Sequence, residues 1–293
     1  MVGGIAVAFM ICPRTILITG ASSGIGAALA MAYADDQATL VLMGRDEDRL
    51  SQVSIACRGK GASVAAIAQD VADIDRFLDV LLELDQQWRF DLVVFNAGIG
   101  DTCQPSQQIE PPQQITRLID VNLRAPAAGA SLIAGRMIDR RQGTIALISS
   151  VAALIPLPMA AGYAASKAGL NAFALSLNAA VRSHGVTVSV ICPGYVETPM
   201  SARLKTFKPF QMKPEMAARA IIDCIGRRQT FTIIPAPYAI ACAVLKFIPV
   251  KMAVWLSSRF SLDARPYEAM TDLEVRDVRR NVTSYSSVKS DVS

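Results

Sequence analysis

The sequence predicts an α/β fold, a doubly wound parallel sheet in a single domain, with an apolar helical extension at the carboxyl end. Three observations carry this. Strand-like apolar runs alternate with segments of helical spacing from residue 14 to about residue 235. The strand runs are continuously apolar, as in strands covered on both faces. Glycine and polar motifs fall at the carboxyl ends of those runs, where open α/β sheets bind their ligands.

The elements follow in order. RTILIT (14–19) reads as the first strand, GASSGIG (20–26) as a glycine turn and AALAMAYADD (27–36) as the first helix. ATLVLMGR (38–45) is the second strand, and DEDRLSQVSIAC (46–57) a helix with Asp46 as its N-cap. ASVAAIAQDV (62–71) is the third strand and DIDRFLDVLLELDQQW (73–88) the third helix. FDLVVFNAGIG (90–100) is a strand closed by a glycine turn. GTIALISS (143–150) and VTVSVICPG (186–194) are the fifth and sixth strands. KPEMAARAIIDCIGRR (213–228) has proline near a helix start and glycine at its end, and TFTIIP (230–235) suits a last strand. There is no internal repeat, and no linker before residue 200.

Composition excludes several function classes. Of 293 residues, 52% are hydrophobic and 18% charged, enough apolar material for a large core. The net charge of +4 comes from scattered basic residues with no basic stripe or reader motif, so nucleic acid is not an expected partner. Six cysteines at 12, 57, 103, 192, 224 and 242 and one histidine give no metal-binding spacing. Scattered cysteines suit buried positions in a reducing compartment, so a cytoplasmic protein is expected. His184, followed by Gly185, suits a surface cap better than a catalyst. Residues 2–12 are apolar but too short to span a bilayer. They lack a basic n-region and a convincing cleavage site, so residues 1–13 read as an N-terminal extension.

The chemistry sits in four places. In Thr19-Gly20-Ala21-Ser22-Ser23-Gly24-Ile25-Gly26, glycines let backbone approach a pyrophosphate and a helix N-terminus faces the anion. Asn96-Ala97-Gly98 closes the fourth strand, and Ser150 the fifth. In AGYAASKAGLNAF (161–173), Tyr163 and Lys167 are four apart and share one helix face. A phenol is too weak an acid to exchange protons at neutral pH, and a nearby ammonium is expected to lower its pKa. Ser149 neighbours Ser150, but strand alternation turns it to the opposite face.

TGxxxGIG, NAG, the serine at 150 and YxxxK in this order resemble the short-chain dehydrogenase/reductase family, in its compact single-domain branch, over residues 14–200. The resemblance implies a Rossmann-type fold. It implies Tyr163 as general acid or base, Lys167 also bonding the nicotinamide ribose, Ser150 holding the substrate oxygen, and Asn122 in DVNL supporting a water-linked proton path. Asp70 and Val71 would contact adenine, and Asn96, Ala97 and Gly98 would lie beside the adenosine ribose. Pro193-Gly194-Tyr195-Val196-Glu197-Thr198 matches the loop over the nicotinamide, with Val196 backbone and Thr198 hydroxyl on the carboxamide. At the second strand's end, Gly44 leaves room and Arg45 can pair with a 2′-phosphate, which favours NADP(H) over NAD(H). Asp46 is the counter-indication, although it suits a cap.

Past residue 200 the resemblance weakens. MSARLKTFKPFQM (200–212) reads as a mobile lid over a nonpolar substrate. APYAIACAVLKFIPVKMAVWLSSRF (236–260) reads as two short amphipathic helices, within an apolar extension over 236–270. A membrane-surface anchor and a buried helix pair or subunit contact stand as equal readings. Residues 271–293 are polar, serine-rich and expected to be disordered. The expectation is therefore a catalytic domain over 14–235 that reduces a hydrophobic, lipid-like, acyl or steroid-like ketone with NADPH. By analogy it forms a homodimer or homotetramer, with no metal. The rivals are a catalytically silent NADP-binding sensor or scaffold, and a sugar-nucleotide or envelope-polysaccharide enzyme sharing YxxxK.

Overall fold

The computed structural model describes residues 13–100, 109–157, 160–205, 207–245, 249, 251–252 and 263–264. The sequence readings on residues 1–12, on most of the 246–270 segment and on the 271–293 tail lie outside the described residues.

The strands are β1 (Thr15–Thr19), β2 (Thr39–Gly44), β3 (Ser63–Ala68), β4 (Leu92–Phe95), β5 (Gly143–Ile148), β6 (Val186–Pro193), β7 (Leu204–Lys205), β8 (Phe231–Ile234) and β9 (Asp263–Ala264). Seven of them form one sheet in the order β3-β2-β1-β4-β5-β6-β8, and every pairing in it is parallel. β7 and β9 form a separate antiparallel pair. The helices are α1 (Gly24–Tyr33), α2 (Glu47–Arg58), α3 (Ile74–Trp88), α4 (Pro112–Ile119), α5 (Ala125–Asp139), α6 (Ala161–Val181), α7 (Pro199–Ala202), α8 (Pro214–Gly226) and α9 (Ala236–Leu245).

Strand alternation splits the core in two. Leu17, Val41, Met43, Val93, Phe95, Ile145 and Leu147 face one way, into a cluster with α3, α5 and α6. Ile16, Ile18, Leu40, Leu42, Val94, Ala146 and Ile148 face the other way, into a cluster with α1, α2 and α8. Both faces of the inner strands β1, β2, β4, β5 and β6 are dry, which is why their sequences are apolar without alternation. The strand order reverses between β1 and β4, so the crevice opens over their carboxyl ends.

Asp46 and Asp73 cap α2 and α3, their carboxylates accepting from Arg49 N and Arg76 N. His184 is exposed at the end of a short 3₁₀ turn, and Gly185 follows with φ 79°. Three details differ from the sequence reading. α1 begins at Gly24, inside the glycine motif, so that its N-terminus stays in the turn. Residues 112–139, given no element above, form α4, a π-helical turn (Asp120–Arg124) and α5. Gly226 stays helical and buried at the end of α8, and the left-handed residue is Arg228, φ 52°.

Candidate active site

The glycine turn is held from beneath. Thr19 Oγ1 accepts hydrogen bonds from Asn96 N and Ala97 N, both at 3.0 Å, and donates to Val94 O at 3.4 Å. Asn96 Nδ2 donates to Thr19 O and Gly20 O at 3.0 and 3.2 Å. Thr19 is buried, so it and Asn96 brace the β1 and β4 ends against each other across the switch point. A Cβ at Gly26 would lie 2.2 Å from Gly20 O, so no side chain fits where α1 crosses the turn. Gly24, at φ 55°, brings the start of α1 against Thr198, whose Cγ2 would be 2.9 Å from an added Cβ. Ser22, Ser23 and Ile25 are partly exposed around the turn, and Ser23 at the N-cap makes no side-chain cap. The first N–H groups of α1 are therefore not satisfied by their own cap residue. A tight cradle ending in such a helix start fits a dinucleotide pyrophosphate.

At the end of β2, Gly44 leaves a gap beside Ser22, whose Cβ and Oγ would lie 3.3 Å from an added Cβ. Arg45 is exposed, and its guanidinium is 3.5 Å from the Asp70 carboxylate at the end of β3. Val71, next along, is buried against the core. The Asp46 carboxylate turns to its own helix, accepting from Arg49 N at 2.9 Å and Arg49 Nε at 2.6 Å.

The catalytic candidates converge over β5 and α6. Ser150 follows β5, its Oγ accepting from Ala152 N at 3.1 Å and hydrogen-bonding the Tyr163 phenol. Ser149 is buried on the opposite face, donating to Lys167 O at 3.3 Å. Lys167 is buried and its Nζ donates to Ile148 O at 2.9 Å. Asn122, in the π-helical turn, donates to Ile99 O and accepts from Ile99 N, both at 2.9 Å, and donates to Ser166 Oγ at 3.2 Å. A Cβ on Gly98 would sit 3.1 Å from Asn122 Oδ1 and 3.5 Å from Lys167 Nζ, so Gly98 lets these two side chains flank the β4 end.

The electrostatics differ from the sequence expectation. Burial pushes the Tyr163 phenol up, the Ser150 hydrogen bond pulls it back, and Cys192 adds a further upward push. Burial also pushes Lys167 down, to about 8. The phenol therefore stays protonated near neutrality, ready to donate. Cys192 lies beneath the pair, and burial raises its thiol to about 11, which makes it no nucleophile.

The loop after β6 roofs the site. Gly194 N donates to Ile234 O, and the Tyr238 ring fills the place of a Gly194 side chain, with Cε2 2.3 Å from an added Cβ. Pro193, the last residue of β6, is buried, and Val196 is buried with its carbonyl accepting from Ser201 Oγ at 2.5 Å. Thr198 caps α7, Oγ1 accepting from Ser201 N at 3.1 Å. That leaves its own hydroxyl proton to donate. Met200 reaches back over Gly100, close to Tyr163.

Glu110 escaped the sequence reading. It is buried, and Oε2 accepts from Gly162 N at 2.8 Å while Oε1 accepts from Gln114 Nε2 at 3.2 Å. Ala160, at the N-cap of α6, offers no side-chain bond. A carboxylate 52 residues away thus caps α6, one residue before Tyr163. Glu110→Ala should lower kcat about tenfold without changing the dissociation constant of a nicotinamide dinucleotide, and Glu110→Gln, which keeps the acceptor, should recover most of it. Steady-state kinetics beside a fluorescence binding titration checks this.

Among the described residues no cluster of His, Cys, Asp or Glu could hold a metal ion. A profile of the short chain dehydrogenase family matches residues 14–209. An uncharacterized oxidoreductase of Myxococcus xanthus is 32% identical over 237 residues, 80% of this chain and 93% of that protein. A short-chain dehydrogenase from Sphingobium yanoikuyae, solved with NADPH, is 28% identical, with a TM-score of 0.72 over 88% of this chain and 99% of the other. The bulky-bulky ketone specific alcohol dehydrogenase from Comamonas testosteroni is 25% identical, with a TM-score of 0.71 over 89% of this chain and all of the other. With the family profile spanning most of the parallel-sheet domain, and these relatives along nearly their whole length, this chain belongs to the short-chain dehydrogenase/reductase family of oxidoreductases.

Proposed function

We propose that the chain is an NADP(H)-dependent reductase that transfers a hydride to the carbonyl carbon of a hydrophobic ketone of lipid-like, acyl or steroid-like class. The observation that carries this reading is the convergence of Ser150, Tyr163 and Lys167 beside the glycine cradle. When bound, NADPH supplies the hydride. Ser150 and Tyr163 hold the carbonyl oxygen, and the phenol gives its proton as charge develops there. Lys167 holds the nicotinamide ribose, and with Asn122 opens a water-linked path that reprotonates the phenolate. The Val196 backbone and the Thr198 hydroxyl hold the carboxamide. Thr19, Asn96, Ala97 and Gly98 brace the nucleotide cradle formed by Gly20, Ser22, Ser23, Gly24, Ile25 and Gly26.

Cofactor preference rests on Arg45. Its planar fork has five N–H donors, and one pairing at 3.5 Å with Asp70 leaves others for a 2′-phosphate. Asp46, which would favour a ribose hydroxyl, is committed to its cap. The hydrophobic substrate is supported by Met200 and by the apolar character of the lid. Assembly as a homodimer or homotetramer, and peripheral attachment through 236–260, belong to the same proposal.

The test is NADPH and NADH oxidation by purified protein with long-chain 3-oxo acyl esters, steroids and small ketones. NADPH should be the better cofactor, and Arg45→Ala should raise its KM roughly tenfold while leaving the KM for NADH unchanged. Equal use of both cofactors, unaltered in the variant, refutes the NADP(H) assignment.

A further inference from the structure

The register of the sheet edge brings α9 to the loop after β6. β8 pairs with β6, with Ile234 opposite Pro193. Gly194 N donates to Ile234 O at 2.7 Å, and Tyr238 N donates to Pro235 O at 3.1 Å. The first turn of α9 therefore rises beside the first residue after β6. There the Tyr238 ring takes the space of a Gly194 side chain. An added Cβ would meet its Cε2, Cδ2 and Cζ at 2.3, 2.6 and 3.0 Å. Gly194 is not among the glycines with positive φ, so it is this ring, and not the backbone conformation, that asks for glycine there.

The same side chain holds the end of the segment after α7. Its hydroxyl donates to Pro209 O at 2.6 Å, and its ring meets the Phe210 ring edge-on, at 84° with centroids 5.9 Å apart. Burial, with Tyr195 nearby, pushes the Tyr238 phenol up to about 12, so the donor persists across the neutral range. Two residues beyond Phe210, Met212 closes onto the loop. Met212 N donates to Tyr195 O, and Glu197 N donates to Met212 O, both at 2.9 Å. At its far end the loop rests on the glycine cradle, through Thr198 against Gly24. Tyr238 thus touches both the near end of the loop and the segment that closes over it.

We propose that Tyr238 is a positioning residue for the nicotinamide half of the cofactor site. It acts through Gly194 and through residues 209–212, which together fix where the Val196 backbone and the Thr198 hydroxyl stand. The inference rests on the dinucleotide reading above. The adenosine half of that reading lies at the ends of β1, β2 and β3, on the opposite side of the sheet order from β6 and β8. Losing the Tyr238 ring therefore separates the two halves.

The experiment is calorimetric titration with NADPH and with ADP, which carries the adenosine and no nicotinamide. The proteins are wild type, Tyr238→Ala, Tyr238→Phe, Gly194→Ala and the double variant Gly194→Ala with Tyr238→Ala. Each single alanine variant should raise the NADPH dissociation constant about tenfold and leave that of ADP unchanged. Tyr238→Phe keeps the ring and loses one hydrogen bond, so it should recover most of the affinity. In the double variant the new methyl group takes space that the ring has vacated, and NADPH should bind more tightly than to Gly194→Ala alone. Unchanged NADPH binding in Tyr238→Ala overturns the inference. So does an equal loss of NADPH and ADP, which would make the residue a general support of the fold, or a double variant no better than Gly194→Ala. Wild-type protein that binds ADP but neither NADPH nor NADH sinks the dinucleotide reading itself, and the inference with it.

Discussion

Replacing Tyr163 by phenylalanine is expected to lower kcat roughly a thousandfold while NADPH binding stays intact. The ring contacts survive, and only the proton donor is lost. Because burial holds the phenol above its usual range, it stays protonated throughout the neutral region, as the proposed acid must be. The alkaline limit then belongs to Lys167. Its pKa is pushed down to about 8, so its ammonium is present below that pH and lost above it. The kcat/KM for ketone reduction should therefore fall as pH rises through about 8. Stopped-flow or steady-state NADPH oxidation across pH, for wild type and variant, reads both effects. A Tyr163→Phe enzyme with undiminished turnover would remove the phenol from the mechanism.

Asp85→Ala is expected to cost about 3–5 kcal/mol of stability at neutral pH. The Asp85 side chain on α3 is fully buried. It accepts two hydrogen bonds at 2.8 Å from Arg140, the C-cap of α5, one from Arg136 on α5 at 3.2 Å, and a fourth from Phe90 N at 3.2 Å. Arg140 also reaches Phe90 O at 3.0 Å. Removing the carboxylate leaves two guanidinium groups facing a cavity between helices that pack on the sheet. Burial alone would raise the Asp85 pKa, but the hydrogen bonds and charge of Arg140, with Arg136 and Phe90 N, bring it below 3.8. A depressed carboxylate stabilises the fold above the unfolded value of 3.8, and that contribution is lost as pH falls through the lower folded value. Urea unfolding at neutral and acid pH checks both statements: the gap between wild type and variant should close in acid. An unchanged midpoint at neutral pH would show the cluster to be energetically silent.

Much of this was legible in the residues. Unbroken apolar runs marked the sheet strands, most plainly the five inner ones, because a strand dry on both faces has no polar alternation to hide it. TGxxxGIG and YxxxK are local patterns, and local patterns survive in sequence. The Asp46 cap and the face reversal between Ser149 and Ser150 follow from the same short-range geometry. Residues 112–139 were not legible. α5 is rich in alanine and glycine, and Gly129 packs under Phe95 and Phe77, so close approach rather than a strong apolar stripe selects its residues. Gly226 is the last residue of α8, buried and still helical, and Arg228 takes the left-handed turn.

By itself, then, the sequence determined the parallel sheet, the glycine turn and the placing of Tyr163 and Lys167 on one helix face, all of which depend on neighbours within a turn or strand. Only the tertiary structure decided that Lys167 Nζ bonds Ile148 O at the strand end and that burial raises the Tyr163 phenol. It alone placed Glu110 at the head of α6, Asp85 between Arg136 and Arg140, and Tyr238 over Gly194. These contacts join residues tens of positions apart, and no periodicity records them. They exist because packing the helices onto the sheet buries charged and polar groups that must then find partners.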